Sequence, residues 1–140
     1  MPANRFLDTN IFVYHLEGIN TDKGRIANEL IRNGLASGTV CISFQVVQEC
    51  LNTALRKSEI PLDLEAMRRY LNTVLAPLMQ VPATVGLYHR ALDIQVRYRY
   101  GFYDSLIVSA ALEAGCTTLF SEDLQHGQEI EGLRIENPFR

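Results

Sequence analysis

The sequence predicts a three-layer α/β domain in which helices flank a parallel sheet of about five strands. Short, strongly apolar runs that suit buried strands alternate with longer runs whose apolar residues recur at helical spacing. Successive strand-like runs are separated by helix-like ones, and parallel strands require such crossovers. The 140 residues suffice for one domain with its own core, spanning 1–140, and no linker or internal repeat interrupts them.

The predicted strands are three or four residues long and apolar or β-branched: 5–7, 40–42, 78–81, 117–120 and 133–135. The predicted helices have apolar residues three and four apart: 24–35, 44–57, 62–75, 83–100 and 103–114. Pro61 separates the second helix from the third, and Gly115 suits the left-handed end of the last. The apolar stripe of the second helix consists of Val47, Cys50, Leu51, Ala54 and Leu55.

The composition excludes several classes of protein. With 47% hydrophobic and 21% charged residues, the chain is neither disordered nor a disulfide scaffold. No apolar run approaches the ~20 residues of a membrane span. The N-terminus also lacks the apolar region of a signal peptide, so we expect a cytoplasmic protein. Cys41, Cys50 and Cys116 form no CxxC pair and are expected to be reduced thiols in or near the core.

The net charge of −3 argues weakly against a nucleic-acid binder. The argument is weak because a carboxylate metal site adds negative charge that bound cations offset. Local basic segments therefore carry more information about a nucleic-acid partner than the sum of charges does.

Two acids follow predicted strands, at the edge where open parallel sheets bind ligands. Asp8 comes directly after the strand 5–7, and Asp123 lies in the loop after the strand 117–120. Either position equally suits an aspartate that caps a helix or stabilises a turn. From the residues alone, both interpretations stay open.

Two further acids lie on predicted helices. Asp104 opens an apolar helix, where the helix dipole favours an acid without any further role. Helical geometry also puts it about 60° from Ile107, beside the buried stripe, so we expect a partly desolvated carboxylate that needs a partner. Periodicity alone assigns Glu49 to a solvated helix face. That face also carries Gln45, Asn52 and Arg56.

Clustered carboxylates suit hard divalent metals. Mg²⁺ and Mn²⁺ prefer oxygen ligands, and three or four carboxylates can hold one or two such ions. Such ions activate water and stabilise charge on a transferring phosphate. The three histidines, His15, His89 and His126, are scattered and pair with no nucleophile at a recognisable spacing. The glycine-rich phosphate loops of nucleotide-binding proteins are absent from the sequence.

Four motifs occur in order along the chain. They are Phe6-Leu7-Asp8-Thr9-Asn10, the segment 43–49 followed by Asn52, the segment 102–107 around Asp104, and the segment 118–125 with Ser121-Glu122-Asp123. Together with the closing segment 133–139, they resemble the PIN-domain family. Within that family they resemble the ribonuclease toxins of bacterial toxin–antitoxin pairs, often called VapC-type. The resemblance spans nearly the whole chain.

The resemblance implies a metal site made of Asp8, Glu49, Asp104 and Asp123. It further implies that Asn10, Ser121 and Asn52 are polar supports, with Asn10 and Ser121 orienting Asp8, Asp123 or a water. Relatives often carry serine where Gly101 stands and alanine where Ser105 stands, which leaves the local hydrogen bonding open. Glu122 beside Asp123 makes the fourth acid ambiguous, and Asp123 is preferred for its place in the motif.

The resemblance also implies an activity and partners. The expected protein is a Mg²⁺- or Mn²⁺-dependent endoribonuclease that hydrolyses RNA phosphodiester bonds, is paired with an antitoxin protein and forms a homodimer. Arg56, Arg97 and Arg99 are the predicted RNA-binding residues. The segment that holds Arg97 and Arg99 equally suits a helix C-terminus, where arginines match the dipole and tyrosines pack.

Two other functions remain as alternatives. A catalytically weak PIN fold could bind RNA or protein, although such a module has no need to keep four repelling acids together. A magnesium-dependent phosphatase would want a second acid two residues after its nucleophilic aspartate. Asp8 is followed by Thr9 and Asn10 instead.

Overall fold

The structure, a computed structural model, describes residues 3–57, 60 and 63–140. Its strands are β1 (Arg5–Leu7), β2 (Val40–Ser43), β3 (Met79–Val81), β4 (Thr118–Phe120), β5 (Glu129–Ile130) and β6 (Leu133–Glu136). They form one six-stranded sheet in the order β3-β2-β1-β4-β6-β5. All neighbouring pairs are parallel except β5 and β6. The α/β prediction is therefore confirmed. The sixth strand, β5, was not predicted, because its two residues are too few to show a periodic pattern.

The helices, in chain order, are α1 (Thr9–Glu17), α2 (Asp22–Ser37), α3 (Phe44–Arg56), α4 (Leu64–Tyr70), α5 (Ala76–Leu78), α6 (Val85–Tyr98) and α7 (Phe102–Glu113). A π-helical segment, Leu71–Leu75, joins α4 to α5. Helix α1 packs on α2 and α3, and α6 packs on α7. The main apolar core runs through the sheet and its flanking helices, and a second, smaller apolar cluster consists of Val13, Ala54, Ile60 and Met67. Pro61 and Leu62, which the sequence placed at the start of the third predicted helix, lie outside the described residues.

Side-chain caps set several helix starts. Thr21 accepts a hydrogen bond from the Gly24 amide at the start of α2, and Asp63 accepts one from Ala66 at the start of α4. Thr84 does the same for Leu87, so α6 begins at Val85 rather than at residue 83. Helix α1 had no counterpart in the sequence analysis, because it begins immediately after the short strand β1.

The face of α3 around Glu49 differs from the prediction in two places. Gln45, assigned to a solvated face, is buried with only 4% of its surface exposed. Leu55, assigned to the apolar stripe, is 68% exposed. Periodicity identified the helix correctly but not the direction of its buried face, because α3 packs against α1, β2 and α7 at once.

Helix α7 is buried on all sides over Ser105 to Ala111. The hydroxyls of its two serines both have hydrogen-bond partners. Ser105 donates to the Gly101 carbonyl, one turn earlier, and Ser109 donates to the Leu87 carbonyl of α6. A helix buried all round has no single stripe for Asp104 to border. Asp104 lies in the first turn and is exposed as a residue, but burial is the main cause of the raised pKa of its carboxyl, which agrees with the predicted partial desolvation.

All three cysteines are free and buried, and the Sγ atoms of Cys41 and Cys116 lie 3.5 Å apart. This agrees with the prediction of reduced thiols in the core. In the part of the chain that the structure describes, no helix has the length and apolar character needed to cross a membrane.

We expect Gly34→Ala to destabilise the protein. A β-carbon at Gly34 in α2 would lie 2.6 Å from Cγ2 of Val40 at the start of β2. Forcing helix and strand apart should cost about 1–3 kcal/mol in the free energy of unfolding, measured in urea. Gly86→Ala in α6 is the control, since the nearest atom to its added β-carbon would be Thr84 Oγ1, 4.0 Å away. Equal stability of Gly34→Ala and the unchanged protein would show that α2 can move away from the sheet at no cost.

Candidate metal centre at the carboxyl edge of the sheet

Asp8 lies at the junction of the sheet and α1. Leu7 pairs with Phe120 of the adjacent parallel strand, so the residues after β1 and β4 emerge side by side. The Asp8 carboxylate accepts a hydrogen bond of 2.7 Å from the Thr9 amide and one of 2.8 Å from the Ser121 hydroxyl. Asp8 is also the N-cap of α1, so the capping interpretation applies to it as well. Its position at the ligand-binding edge and its role as a cap coexist.

The environment of Asp8 disfavours its charged form. The residue is only 6% exposed, and burial raises the pKa of its carboxyl to about 6. The negative charges of Glu49 and Asp123 raise it further, while the hydrogen bonds from Ser121 and Thr9 partly oppose the shift. A buried carboxylate held by only two donors and facing other acids is the feature expected of a cation ligand.

Glu49 is held in place by two residues. The Thr9 hydroxyl donates to one carboxylate oxygen at 2.6 Å, and the Gln45 amide donates to the other at 3.2 Å. The same Gln45 amide donates to the Tyr103 carbonyl at 3.0 Å, which ties α3 to the first turn of α7. Thr9 and Gln45 were not predicted to serve the site. The spacing of Gln45 and Glu49, one helical turn apart, was the available signal for the second of them.

Asp104 and Asp123 complete the group of acids. Burial and the charges of Asp123 and Glu49 raise the pKa of the Asp104 carboxyl, even though the residue as a whole is exposed. Asp123 is exposed, and its amide donates to the Ser121 hydroxyl at 3.3 Å. The charges of Glu49 and Asp123 thus raise the pKa of both Asp8 and Asp104, so the fold brings these two acids near each of the other two.

These acids are not arranged as a finished coordination shell. Among residues 3–57, 60 and 63–140, no three His, Cys, Asp or Glu side chains converge closely enough to hold an ion. The donor set nevertheless fits Mg²⁺ or Mn²⁺, because it consists of carboxylate oxygens and includes a buried one whose charge is uncompensated.

The proposed supporting residues differ in what they touch. Ser121 is fully buried, donates to Asp8 and accepts from the amides of Asp123 and Leu124. The side-chain amide of Asn10 is buried, but neither its oxygen nor its nitrogen has a hydrogen-bond partner among the described residues. Asn52 is exposed on α3. Of the three, Ser121 alone has a recorded hydrogen bond to one of the four acids.

The PIN domain family matches residues 5–128 of the chain. The protein belongs to this family. Solved structures share its fold at low sequence identity, and no protein among curated sequences matches it. A toxin–antitoxin complex from Klebsiella pneumoniae is 17% identical with a TM-score of 0.71, covering 96% of this chain and 97% of that one.

Two VapC-type structures extend the likeness. VapBC2 from Rickettsia felis, bound to a DNA fragment from its promoter, is 18% identical with a TM-score of 0.68, covering 95% of this chain and 97% of that one. VapC20 from Mycobacterium tuberculosis, a toxin that cleaves the sarcin–ricin loop, is 20% identical with a TM-score of 0.63, covering 85% and 89%. The resemblance found in the sequence is confirmed for family and fold.

In this PIN domain, Glu122 has partners of its own. Its carboxylate accepts hydrogen bonds from the Tyr14 hydroxyl and the Lys23 ammonium group. Partial burial acts to raise the pKa of Glu122, but the bonds from Lys23 and Tyr14 outweigh burial and lower it. Glu122 therefore anchors the loop that carries Asp123 to α1 and α2. This contact could not be predicted from the sequence, because Lys23 is 99 residues away along the chain.

The predicted RNA-binding arginines lie at two helix ends. Arg56 is exposed at the end of α3, and Arg97 is exposed near the end of α6, 3.8 Å from a carboxylate oxygen of Glu131. Arg99 follows α6 in a left-handed conformation with φ of 62°. Tyr100, just after it, is close enough to Asp104 for that charge to contribute to a raised Tyr100 pKa, although burial contributes most.

A cleft of about 280 Å³ extends from the acids between α1 and α3. Asp123 and Glu122 line one side, Asn10 lies on α1, Thr53 lies on α3, and Lys57 directly follows α3. Lys57 was not among the residues predicted to bind RNA. Its position in the same cleft as Asp123 is a result of how α1 and α3 pack.

Proposed function

We propose that this PIN domain is a metal-dependent endoribonuclease that hydrolyses RNA phosphodiester bonds with Mg²⁺ or Mn²⁺. The observation that carries the proposal is Asp8. It is a buried carboxylate at the ligand-binding edge of a parallel sheet, with Glu49 and Asp123 close enough to raise its pKa. A chain that needed Asp8 only as a helix cap would have no reason to surround it with further acids.

The metal would be held by Asp8, Glu49, Asp104 and Asp123. When bound, such a cation activates water and stabilises the charge that develops on the phosphate. The chain's own contribution is orientation: Ser121 and the Thr9 amide fix Asp8, while the Thr9 hydroxyl and Gln45 fix Glu49. These hydrogen bonds leave the remaining carboxylate lone pairs available to a cation.

The wider biological role is part of the same proposal. VapC20 of similar fold cleaves an RNA loop, and other structures of similar fold are toxin–antitoxin complexes. We therefore infer that the chain is the toxin of a pair, bound by a protein antitoxin, and acts in the cytoplasm, where its RNA would be. A homodimer is supported by Val85, Leu92 and Val96, which expose 72%, 50% and 82% of their surface along α6.

Cleavage of structured RNA by the purified protein tests the proposal. Cleavage should require Mg²⁺ or Mn²⁺, stop with EDTA and be lost in Asp8→Asn. Cleavage that persists in EDTA or in Asp8→Asn would place the chemistry elsewhere. Tight RNA binding without cleavage of any RNA would favour the alternative of a binding module, which the lack of a preformed coordination shell among the described residues also suits.

Arg56→Ala should weaken RNA binding and lessen its dependence on salt. Arg56 is exposed beyond Glu49 on α3 and lines a small cavity with Thr53 and Lys57. Loss of one phosphate contact should lower the slope of log K against log salt by about 0.7 on single-stranded RNA. Fluorescence anisotropy with labelled RNA measures this, with the exposed Arg32→Ala as control. Unchanged binding at low salt would remove Arg56 from the RNA footprint.

A further inference from the structure

The cleft beside the acids is lined by a cation, Lys57. Helix α1 begins at Asp8 and ends at Glu17, while α3 carries Glu49, then Thr53, and is followed by Lys57. Eight residues of helix separate Glu49 from Lys57, a distance of about 12 Å along the axis. Asp123, one of the four acids, and Lys57 both line the cleft, so the cleft connects the group of acids with this ammonium group.

Lys57 forms an ion pair with the carboxylate of Glu17. Its Nζ atom lies 3.4 Å from Oε2 of Glu17, and 45% of its side chain remains exposed. A half-exposed pair of this kind contributes little to stability, because water screens the two charges. The pair is weak enough for a stronger anion to displace Glu17 from the lysine.

The neighbouring groups favour a polar, anionic ligand at this position. A second cavity of about 280 Å³, lined by Thr53, Arg56 and Lys57, adjoins the cleft through the two residues that they share. The other cation beside the cleft, Lys23, is bound to Glu122 and Tyr14 on the opposite wall. Among the described residues, Lys57 is thus the ammonium group that lines the cleft itself, and the Thr53 hydroxyl lines it as well.

We propose that Lys57 binds a backbone phosphate of single-stranded RNA next to the scissile one, and that Glu17 competes with that phosphate for Lys57. The proposal rests on the proposed ribonuclease function and adds to it a positioning residue and its built-in competitor. The strand would leave the acids along the cleft between α1 and α3. Because Glu17 both occupies Lys57 and repels phosphate, it lowers RNA affinity.

Substitutions at the two ends of the pair should have opposite effects. Lys57→Met should weaken RNA binding about tenfold and lower the salt slope by about 0.7, the value for one phosphate on a single strand. Glu17→Gln should strengthen binding about threefold, since it frees the lysine and removes a repulsive charge. A purely structural ion pair would make both variants bind more weakly or leave both unchanged.

Fluorescence anisotropy with a labelled single-stranded RNA oligonucleotide and Mg²⁺ is the test, in an Asp104→Asn background that is expected not to cleave. Arg32→Met, which removes one exposed cation from α2, is the matched control and should change affinity much less than Lys57→Met. Melting temperatures establish that every variant is folded. Equal losses for Lys57→Met and Arg32→Met, or binding too weak to measure in the background, would overturn the proposal.

This test is separate from the test of the nuclease function. Metal-dependent cleavage by the unchanged protein, with affinities that do not respond to Lys57→Met and Glu17→Gln, would overturn the Lys57 assignment and leave the nuclease intact. If Lys57→Met and Glu17→Gln shift the RNA affinity in opposite directions but no RNA is cleaved, the RNA-binding role of the cleft would be supported and the nuclease function would be contradicted. With an RNA that the protein cleaves, the single substitution Lys57→Met should raise KM more than it lowers kcat.

Discussion

Asp104→Asn should reduce RNA cleavage by about 10³-fold, the size expected when charge stabilisation at the reacting phosphate is lost. The apo protein should be as stable as before or more so. Burial and the charges of Asp123 and Glu49 raise the pKa of the Asp104 carboxyl, so a neutral amide relieves an unfavourable interaction. Initial rates with Mg²⁺ and urea unfolding in EDTA measure the two effects.

Asp93→Asn is the matched control for this prediction. It makes the same chemical change at an exposed position of α6 and should alter neither rate nor stability. A large loss of apo stability in Asp104→Asn would show that the acid serves the N-terminus of α7 through the helix dipole. An unchanged cleavage rate would place Asp104 outside the reaction.

The apo protein should lose stability as the pH rises from about 4 to about 6. The Asp8 carboxyl has a pKa near 3.8 when unfolded and about 6 when folded, chiefly because it is buried. In this window the folded state binds more protons than the unfolded state, so raising the pH favours unfolding. The stabilisation that comes from the protonated Asp8 carboxyl is fully present below pH 3.8 and is lost as the pH rises through about 6. It amounts to at most about 3 kcal/mol.

Comparison of the free energy of unfolding of the unchanged protein and Asp8→Asn, in EDTA across pH 4 to 8, isolates this contribution from other titrating groups. The difference should grow in favour of Asp8→Asn as the pH rises. Mg²⁺ or Mn²⁺ should restore stability to the unchanged protein above pH 6 and have little effect on Asp8→Asn, because a ligand of the native state stabilises it by mass action. A difference that is independent of pH and metal would mean that Asp8 is a cap and no more.

Local sequence was sufficient for much of the fold. The apolar run Arg5–Leu7 becomes β1 without change, and α3 begins at Phe44 as periodicity predicts. Such elements are recoverable because their burial alternates within a few residues. Helix α1 and strand β5 were missed, since the first follows a strand directly and the second has only two residues.

Sequence position alone also brought two of the acids to the right edge. Asp8 and Asp123 follow β1 and β4, and parallel strands that pair in register end at the same edge of the sheet. Glu49 and Asp104 were predicted for the same site only because of the family resemblance. No rule of periodicity distinguishes a helix residue that faces solvent from one that faces another helix.

The remaining features depend on contacts between residues far apart in the chain. Thr9 reaches Glu49 across 40 positions, and Ser121 reaches Asp8 across 113. Lys23 engages Glu122 and Lys57 engages Glu17 only because α1 packs against α2 and α3. Local sequence thus specifies most of the strands, most of the helices and the edge at which acids collect. Which hydroxyl holds which carboxylate, and which lysine enters the cleft, follows from side chains packed together by the whole core, where each position depends on all its neighbours.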